Sequence, residues 1–363
     1  MQHVLDPLDL SVGEIECLLQ LAMDIKDNKE KYADICRHKI LATLFFEPST
    51  RTRLSFEAAM LEMGGQVLGF SQAGSSSTTK GESLSDTIAT VSCYSDIIAM
   101  RHPSEGSAYI ASQNASVPVM NAGDGGHNHP TQTLTDLLTI VQEKGRLDSL
   151  VIGLCGDLLY GRTIHSLIMA MSRYPGIHFV CISPKELRLP SYIKVDILEA
   201  NGISYEEIDS LEQCIDTLDV LYMTRIQRER FDSEEVYEKL KDYYILDEKK
   251  LQHAKEDMTI MHPLPRVNEI AKEVDSDPRA CYFTQVRNGK YIRKALILAL
   301  LQLDENPIWK QQKVEDRRQS IVATTTCQNP MCISTVEQVD AKVYMRNQDA
   351  SVYRCIYCDH IVK

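Results

Sequence analysis

From Ile40 to about residue 285, short apolar runs alternate with longer amphipathic stretches. Strands and helices taking turns bury both kinds of segment in that order, with the helices covering a largely parallel sheet. The fold class is therefore α/β. Residues 40–46 read as a buried strand, and Pro48-Ser49-Thr50 opens a helix whose Leu54, Ala58 and Leu61 recur every three to four residues until Gly64-Gly65 stops it. Strands are expected at 66–70, 96–100 and 117–121, with helices at 82–94 and 131–143. A second series runs through 150–155, 178–182, 220–223 and 259–261. Two series predict two doubly wound parallel-sheet domains, 1–145 and 146–303, hinged near Lys144-Gly145-Arg146. A helix at about 287–303, almost wholly apolar from Arg293 to Leu303, is expected to pack back on the first domain. The polar stretch 304–326 reads as a linker to a small C-terminal domain, 327–363.

That last domain is defined by cysteine. Seven of the eleven cysteines are scattered through the first 281 residues beside apolar neighbours, as packing thiols are. The other four, Cys327, Cys332, Cys355 and Cys358, form two knuckles 22 residues apart. Such spacing points to a closed tetrahedral zinc site of four thiolates, structural because no position is left for water, and one ion per chain. Disulfides or free thiols are the competing reading. A segment this short has too small a core to fold alone, so the metal would supply much of its stability.

The charge balance narrows the partners. With 39 Lys+Arg against 51 Asp+Glu the formal charge is −12, and no dense basic run offsets it, so nucleic acid is not an expected partner. The first residues carry no secretory signal pattern and no run of about 18 apolar residues follows. A cytoplasmic protein without membrane contact is expected.

The sharpest chemical signal is Glu47-Pro48-Ser49-Thr50-Arg51-Thr52-Arg53, which sets three hydroxyls and two guanidinium groups at the first turn of a helix leaving a buried strand. Unpaired backbone N–H groups and the positive end of the helix dipole favour a phosphate there. The competing reading is that Ser49 caps the helix; a cap explains one hydroxyl, not three flanking two arginines. Arg101, in Arg101-His102-Pro103, lies at the carboxyl end of a strand, and the segment 123–132, holding His127 and His129, also runs from a strand into a helix. Open α/β sheets gather ligands at that edge. Two histidines without nearby cysteine or paired carboxylates make a poor metal set, so a catalytic or hydrogen-bonding histidine is expected. Arg162 and Arg225, each just past a strand, suit carboxylate recognition. No GxGxxG dinucleotide fingerprint is present. His262-Pro263-Leu264-Pro265-Arg266 is a loop stiffened by two prolines.

Taken in order, Phe45-Phe46-Glu47-Pro48-Ser49-Thr50-Arg51-Thr52-Arg53, Met100-Arg101-His102-Pro103, His129-Pro130-Thr131-Gln132 and His262-Pro263-Leu264-Pro265-Arg266 resemble the aspartate carbamoyltransferases, over about residues 1–305. The resemblance implies that Ser49, Thr50, Arg51 and Thr52 hold the phosphate of carbamoyl phosphate. Arg101, His129 and Thr52 would bond its carbonyl oxygen, and Gln132 and the backbone of Leu264 its amino group. Arg162, Arg225 and Gln227 would fix the carboxylates of L-aspartate. Ser76 and Lys80 would reach the carbamoyl phosphate and aspartate of a neighbouring subunit in a homotrimer with shared active sites. Arg51, Thr52, Lys80, Arg101 and His129 would be the catalytic set, in the second step of pyrimidine synthesis. Ornithine carbamoyltransferases share the phosphate motif but have His-Cys-Leu-Pro where this chain has His262-Pro263-Leu264-Pro265, and Arg225 would repel ornithine's ammonium. A non-catalytic anion-binding assembly partner is the remaining alternative. It would usually have lost Arg51, Arg101, His129 or Lys80, and all four are present.

The tail resembles the zinc domain of the bacterial regulatory chain, fused here to a catalytic chain. The 23 residues before Cys327 leave no room for that chain's nucleotide-binding domain, so the tail reads as an assembly clamp between subunits or trimers. Leu159 departs from the lysine the family often carries before Tyr160-Gly161-Arg162.

Overall fold

Leu41, Ala42, Leu44 and Phe45 have almost no exposed surface along the first strand, as befits a strand covered on both faces. The computed structural model describes residues 2–72, 74, 80–226, 235, 244–310, 320–322, 327–337, 339–340, 342–345 and 352–362. Ser76 and Gln227 lie outside the described residues. The chain divides into two compact units, residues 1–131 with 290–363, and residues 132–289.

In the first unit, strands β1 (Ile40–Phe45), β2 (Gln66–Phe70), β3 (Ile97–His102) and β4 (Val119–Asp124) form a parallel sheet in the order β2-β1-β3-β4. Helices α1 (Val12–Asp27), α2 (Thr50–Leu61), α3 (Leu84–Ser92) and α4 (Ser107–Asn114) accompany it. Helix α1 opens on a capping box in which Ser11 Oγ accepts from Glu14 N–H at 3.2 Å and the Glu14 carboxylate accepts from Ser11 N–H at 2.7 Å.

In the second unit, β5 (Val151–Cys155), β6 (His178–Ile182), β7 (Ser204–Ile208), β8 (Val220–Met223) and β9 (Thr259–Met261) are parallel in the order β7-β6-β5-β8-β9. The division between units falls inside α5 (Pro130–Lys144) and inside α7 (Tyr282–Leu300), and α6 (Arg162–Met171) follows β5. Within the first unit, α7 places Lys290 and Lys294 on Glu62, at 2.6 and 2.7 Å, and Arg293 on Ser55 at 3.0 Å, with its guanidinium 5.0 Å from the centre of the Phe56 ring.

The tail carries a four-stranded antiparallel sheet, β10 (Ser320–Val322), β11 (Lys342–Met345), β12 (Tyr353–Cys355) and β13 (Ile361–Val362). Strand β10 falls inside the stretch read as a linker and pairs with β11, so part of that stretch belongs to the tail's sheet. The tail packs onto the first unit. One apolar cluster joins Leu84, Ile88, Met100 and Ala111 to Ile333, Val343, Ile356 and Tyr357. Glu105 pairs through its backbone with Met331 and Ile333 at 2.8 and 2.9 Å, and its carboxylate accepts from Asn329 Nδ2 at 2.7 Å. Gly106 sits at φ +80°, where an added Cβ would meet the Tyr357 backbone at 2.5 Å, so glycine is needed at this close approach. Glu337 accepts from Leu84 N–H, at 3.1 and 3.2 Å to its two oxygens, at the start of α3.

Candidate active site and metal centre

In each doubly wound sheet the connections change direction at one point, and ligands collect beside the strand ends there. In the first unit that point lies between β1 and β3. Ser49–Arg53 follow β1 directly, and Arg101 is next to last in β3. Ser49 is the N-cap residue of α2, yet its side chain makes no capping hydrogen bond. The hydroxyl is therefore not spent on the helix. Burial and the nearby Arg101 charge lower the Arg51 pKa, so two guanidinium groups repel each other at this edge. Glu47 meets Arg101 Nη2 at 2.6 Å, while the buried Arg101 Nε has no hydrogen-bond partner among the described residues. Two cations beside one buried, unmet donor are a set whose chemistry suits an anion. Lys80 is exposed, three residues before the N-cap Ser83 of α3.

Three His-Pro pairs end strands or open helices in this chain, and two share one device. His102 Nδ1 accepts from Ser104 N–H at 3.0 Å, and His262 Nδ1 accepts from Leu264 N–H at 2.7 Å. Each imidazole ties down the turn that follows it. Burial lowers the His102 pKa to about 4, so it is neutral near pH 7. His129 is buried, with Thr131 Oγ1 3.5 Å from its Nδ1. His127 has another task. Its nitrogens contact Asp124 at 3.0 Å and Asp359 of the tail at 3.1 Å. Burial opposes its charge, but those two carboxylates prevail and raise its pKa well above the ordinary value. The Asp124 carboxylate also accepts from Gly106 N–H, Asn121 Nδ2 and Asn128 N–H, at 2.9, 2.9 and 3.0 Å, and so fixes the loop that leads to His129.

In the second unit the change of direction lies between β5 and β8. Arg162 opens α6 after β5, and Arg225 lies two residues past β8. The two turns are tied together: Thr224 Oγ1 accepts from Asp157 N–H at 3.1 Å and donates to the Cys155 carbonyl at 3.1 Å. His165 Nε2–H donates to the Leu158 carbonyl at 2.8 Å and its Nδ1 accepts from Tyr192 OH at 3.0 Å, which steadies the turn before Arg162. Past β9, His262 Nε2–H donates to Glu269 at 2.8 Å, and Glu269 also accepts from Val267 N–H and Asn268 N–H at 2.9 and 3.1 Å. This frame holds Leu264 at φ +54°, an uncommon conformation for leucine. Sequence reasoning missed Asp124, Asp136, Glu269 and Gln285, which touch other side chains rather than forming a motif.

The four tail cysteines converge. Their Sγ atoms all lie within 4.8 Å of one another, with Cys327–Cys358 at 3.6 Å and Cys332–Cys355 at 3.7 Å. Four sulfurs about 2.3 Å from a central ion at tetrahedral angles stand roughly 3.8 Å apart. The separations fit a tetrahedral metal and are too long for the S–S bond of a disulfide. By contrast, burial pushes the Cys36 and Cys214 thiols up to about 12, as inert packing groups.

Residues 2–142 match the carbamoyl-P binding domain of aspartate/ornithine carbamoyltransferase, and residues 148–300 match its Asp/Orn binding domain. The chain belongs to the aspartate/ornithine carbamoyltransferase family. Residues 319–363 match the metal binding domain of the aspartate carbamoyltransferase regulatory chain, so this member joins catalytic-type and regulatory-type segments in one polypeptide. The aspartate carbamoyltransferase catalytic subunit of Lachnoclostridium phytofermentans is 61% identical over 301 residues, 83% of this chain and 98% of the relative. That of Clostridium botulinum is 59% identical over 300 residues, with the same coverage. Among solved structures, the catalytic subunit of M. jannaschii aspartate transcarbamoylase is 46% identical with a TM-score of 0.78, over 84% of this chain and 100% of that one. Aspartate transcarbamoylase from Trypanosoma cruzi in complex with N-(phosphonacetyl)-L-aspartic acid is 37% identical with a TM-score of 0.77, over 82% of this chain and 94% of that one.

Proposed function

We propose that this chain is an aspartate carbamoyltransferase, moving the carbamoyl group of carbamoyl phosphate to the α-amine of L-aspartate to give N-carbamoyl-L-aspartate and phosphate. The observation that carries the reading is Ser49, a helix-start hydroxyl not used as a cap, in the company of Arg51 and Arg101. Ser49, Thr50, Arg51 and Thr52 bind the phosphate, with the N-terminus of α2 contributing backbone N–H donors. Arg101, His129 and Thr52 meet the carbonyl oxygen, whose negative charge grows as the aspartate amine attacks the carbamoyl carbon. Gln132 and the Leu264 carbonyl accept from the carbamoyl amino group. Arg162, Arg225 and Gln227 hold the two carboxylates of aspartate. Phosphate leaves as the C–O bond breaks and takes up the amine proton, so positioning and electrostatics supply most of the acceleration.

Residues 1–145 form the carbamoyl phosphate domain and 146–303 the aspartate domain in this reading. Ser76 and Lys80 serve the active site of the next subunit in a homotrimer. The tail metal is zinc, one per chain, held by Cys327, Cys332, Cys355 and Cys358; when bound, it cross-links the two knuckles and takes no part in the reaction. The tail acts as an assembly clamp. The enzyme works in the cytoplasm. No helix among the described residues is long and apolar enough to cross a membrane. The test is a colorimetric assay for carbamoyl aspartate with ornithine offered in parallel. Turnover with aspartate alone is expected, falling steeply in Arg51→Ala with the fold intact; citrulline formation instead overturns the reading.

A further inference from the structure

Gln132 ends in an amide, which can present either an oxygen acceptor or an NH2 donor to a ligand. A carbamoyl amino group is itself a donor, so only one of the two orientations binds it. The second unit contains a buried device that decides between them. Asp136, one helical turn after Gln132 on α5 and without exposed surface, accepts from Gln132 Nε2 at 2.8 Å. An ionised carboxylate can only accept, so the amide nitrogen faces Asp136 and Oε1 is left for the ligand. Asp136 is itself held. Gln285 Nε2 donates to the same oxygen at 2.6 Å, and Tyr222 OH donates to the other at 3.0 Å. Gln285 then carries the constraint onward, since its Oε1 accepts from His262 N–H at 3.0 Å and His262 Nδ1 accepts from Leu264 N–H. Gln132 and Leu264 therefore lie at the two ends of one hydrogen-bonded chain in which every amide orientation is dictated by its neighbour.

We propose that Asp136 is a positioning and specificity-determining residue, which sets the polarity of Gln132 and, through Gln285 and His262, links it to the Leu264 loop. The ligand class selected is an acyl phosphate bearing an NH2 on the acyl carbon, over the near-isosteric acyl phosphate bearing a methyl group. The inference rests on the proposed role of Gln132 toward the carbamoyl amino group.

The experiment compares carbamoyl phosphate affinity with the Ki of acetyl phosphate as a competitor, in the full-length protein. Asp136→Ala removes the acceptor that Gln132 and Gln285 share and lets Gln132 turn either way. It should weaken carbamoyl phosphate binding by about tenfold or more while the acetyl phosphate Ki moves less than about twofold, because a methyl group has no use for the acceptor. General loosening of the fold would weaken both ligands alike, and that result overturns the proposal. If Asp136→Ala yields too little folded protein, the double variant Asp136→Asn/Gln285→Met takes its place: with the Gln285 donor gone, the introduced amide can keep its oxygen on Tyr222 OH and turn its NH2 toward Gln132. The same loss of preference for carbamoyl over acetyl phosphate is then expected, and a preference kept overturns the proposal. Gln132→Met separates the two levels of the argument. Preference unchanged in Gln132→Met defeats the role given to Gln132 and the proposal with it. Preference lost in Gln132→Met but kept in Asp136→Ala defeats the proposal alone.

Discussion

Replacing Ser49 with alanine separates an anion site from a helix cap, because the two roles predict opposite outcomes for stability and activity. The Ser49 side chain makes no capping bond, so its removal takes nothing from α2, and the unfolding free energy should stay within about 0.5 kcal/mol of the parent. A hydrogen bond to a charged phosphate is worth about 1.5–3 kcal/mol, which as a loss of transition-state binding lowers kcat/KM for carbamoyl phosphate by roughly 10- to 150-fold. Ser11→Ala is the matched control. It breaks the capping box of α1 and should cost about 1 kcal/mol of stability with kcat/KM unchanged. Denaturant melts and steady-state rates with carbamoyl phosphate varied, on both variants, give the comparison. A Ser49→Ala protein that melts early like Ser11→Ala and turns over normally would refute the phosphate assignment.

Three further outcomes are expected. Complete chelation of the tail metal should lower Tm and expose the apolar cluster that the tail shares with Leu84, Ile88 and Met100; elemental analysis should return one zinc per chain, and an unchanged melt or assembly mass after metal loss contradicts a structural clamp. Glu337→Ala removes a carboxylate from the N-terminus of α3 and should cost about 0.5–1 kcal/mol, seen as faster amide exchange at Leu84; unaltered protection there rejects the contact. Burial holds the His165 pKa at about 4, below the ordinary 6.5, so between those pH values the unfolded chain binds more protons and stability falls as pH drops. That loss amounts to about 3 kcal/mol by pH 4, and His165→Asn should flatten the Tm-against-pH curve from 6.5 downward; an identical slope in the variant contradicts the assignment.

The buried parallel strands could be read from the sequence because burial on both faces makes them continuous apolar runs, and β6, β8 and β9 fall on the expected residues. Strand β7, Ser204-Tyr205-Glu206-Glu207-Ile208, escaped because it lies at the edge of its sheet and keeps partly exposed polar side chains. Helix α1 was also missed, although Ser11 and Glu14 stand at capping-box spacing. Helix α7 begins at Tyr282, before the expected 287, because its first turns are polar and gave no apolar run. In the tail, cysteine spacing marked the cluster of four sulfurs but could not show the sheet around it, whose strands have only two to four residues. The motifs at Ser49–Arg53, Arg101 and Arg162 were legible because each lies at or just past the carboxyl end of a strand. Asp136 and Gln285 were not, since their importance lies in partners distant along the chain, and Glu269 was not because it ties down one imidazole and two backbone N–H groups without forming a motif.

The central claim is that hydroxyls and guanidinium groups beside the ends of β1 and β3 take the phosphate, while arginines after β5 and β8 take the aspartate carboxylates. A crystal structure with N-(phosphonacetyl)-L-aspartate bound tests it most directly. The phosphonate should lie on Ser49, Thr50, Arg51, Thr52 and Arg101, with the carboxylates on Arg162 and Arg225. A phosphonate lodged away from the head of α2 would contradict the account.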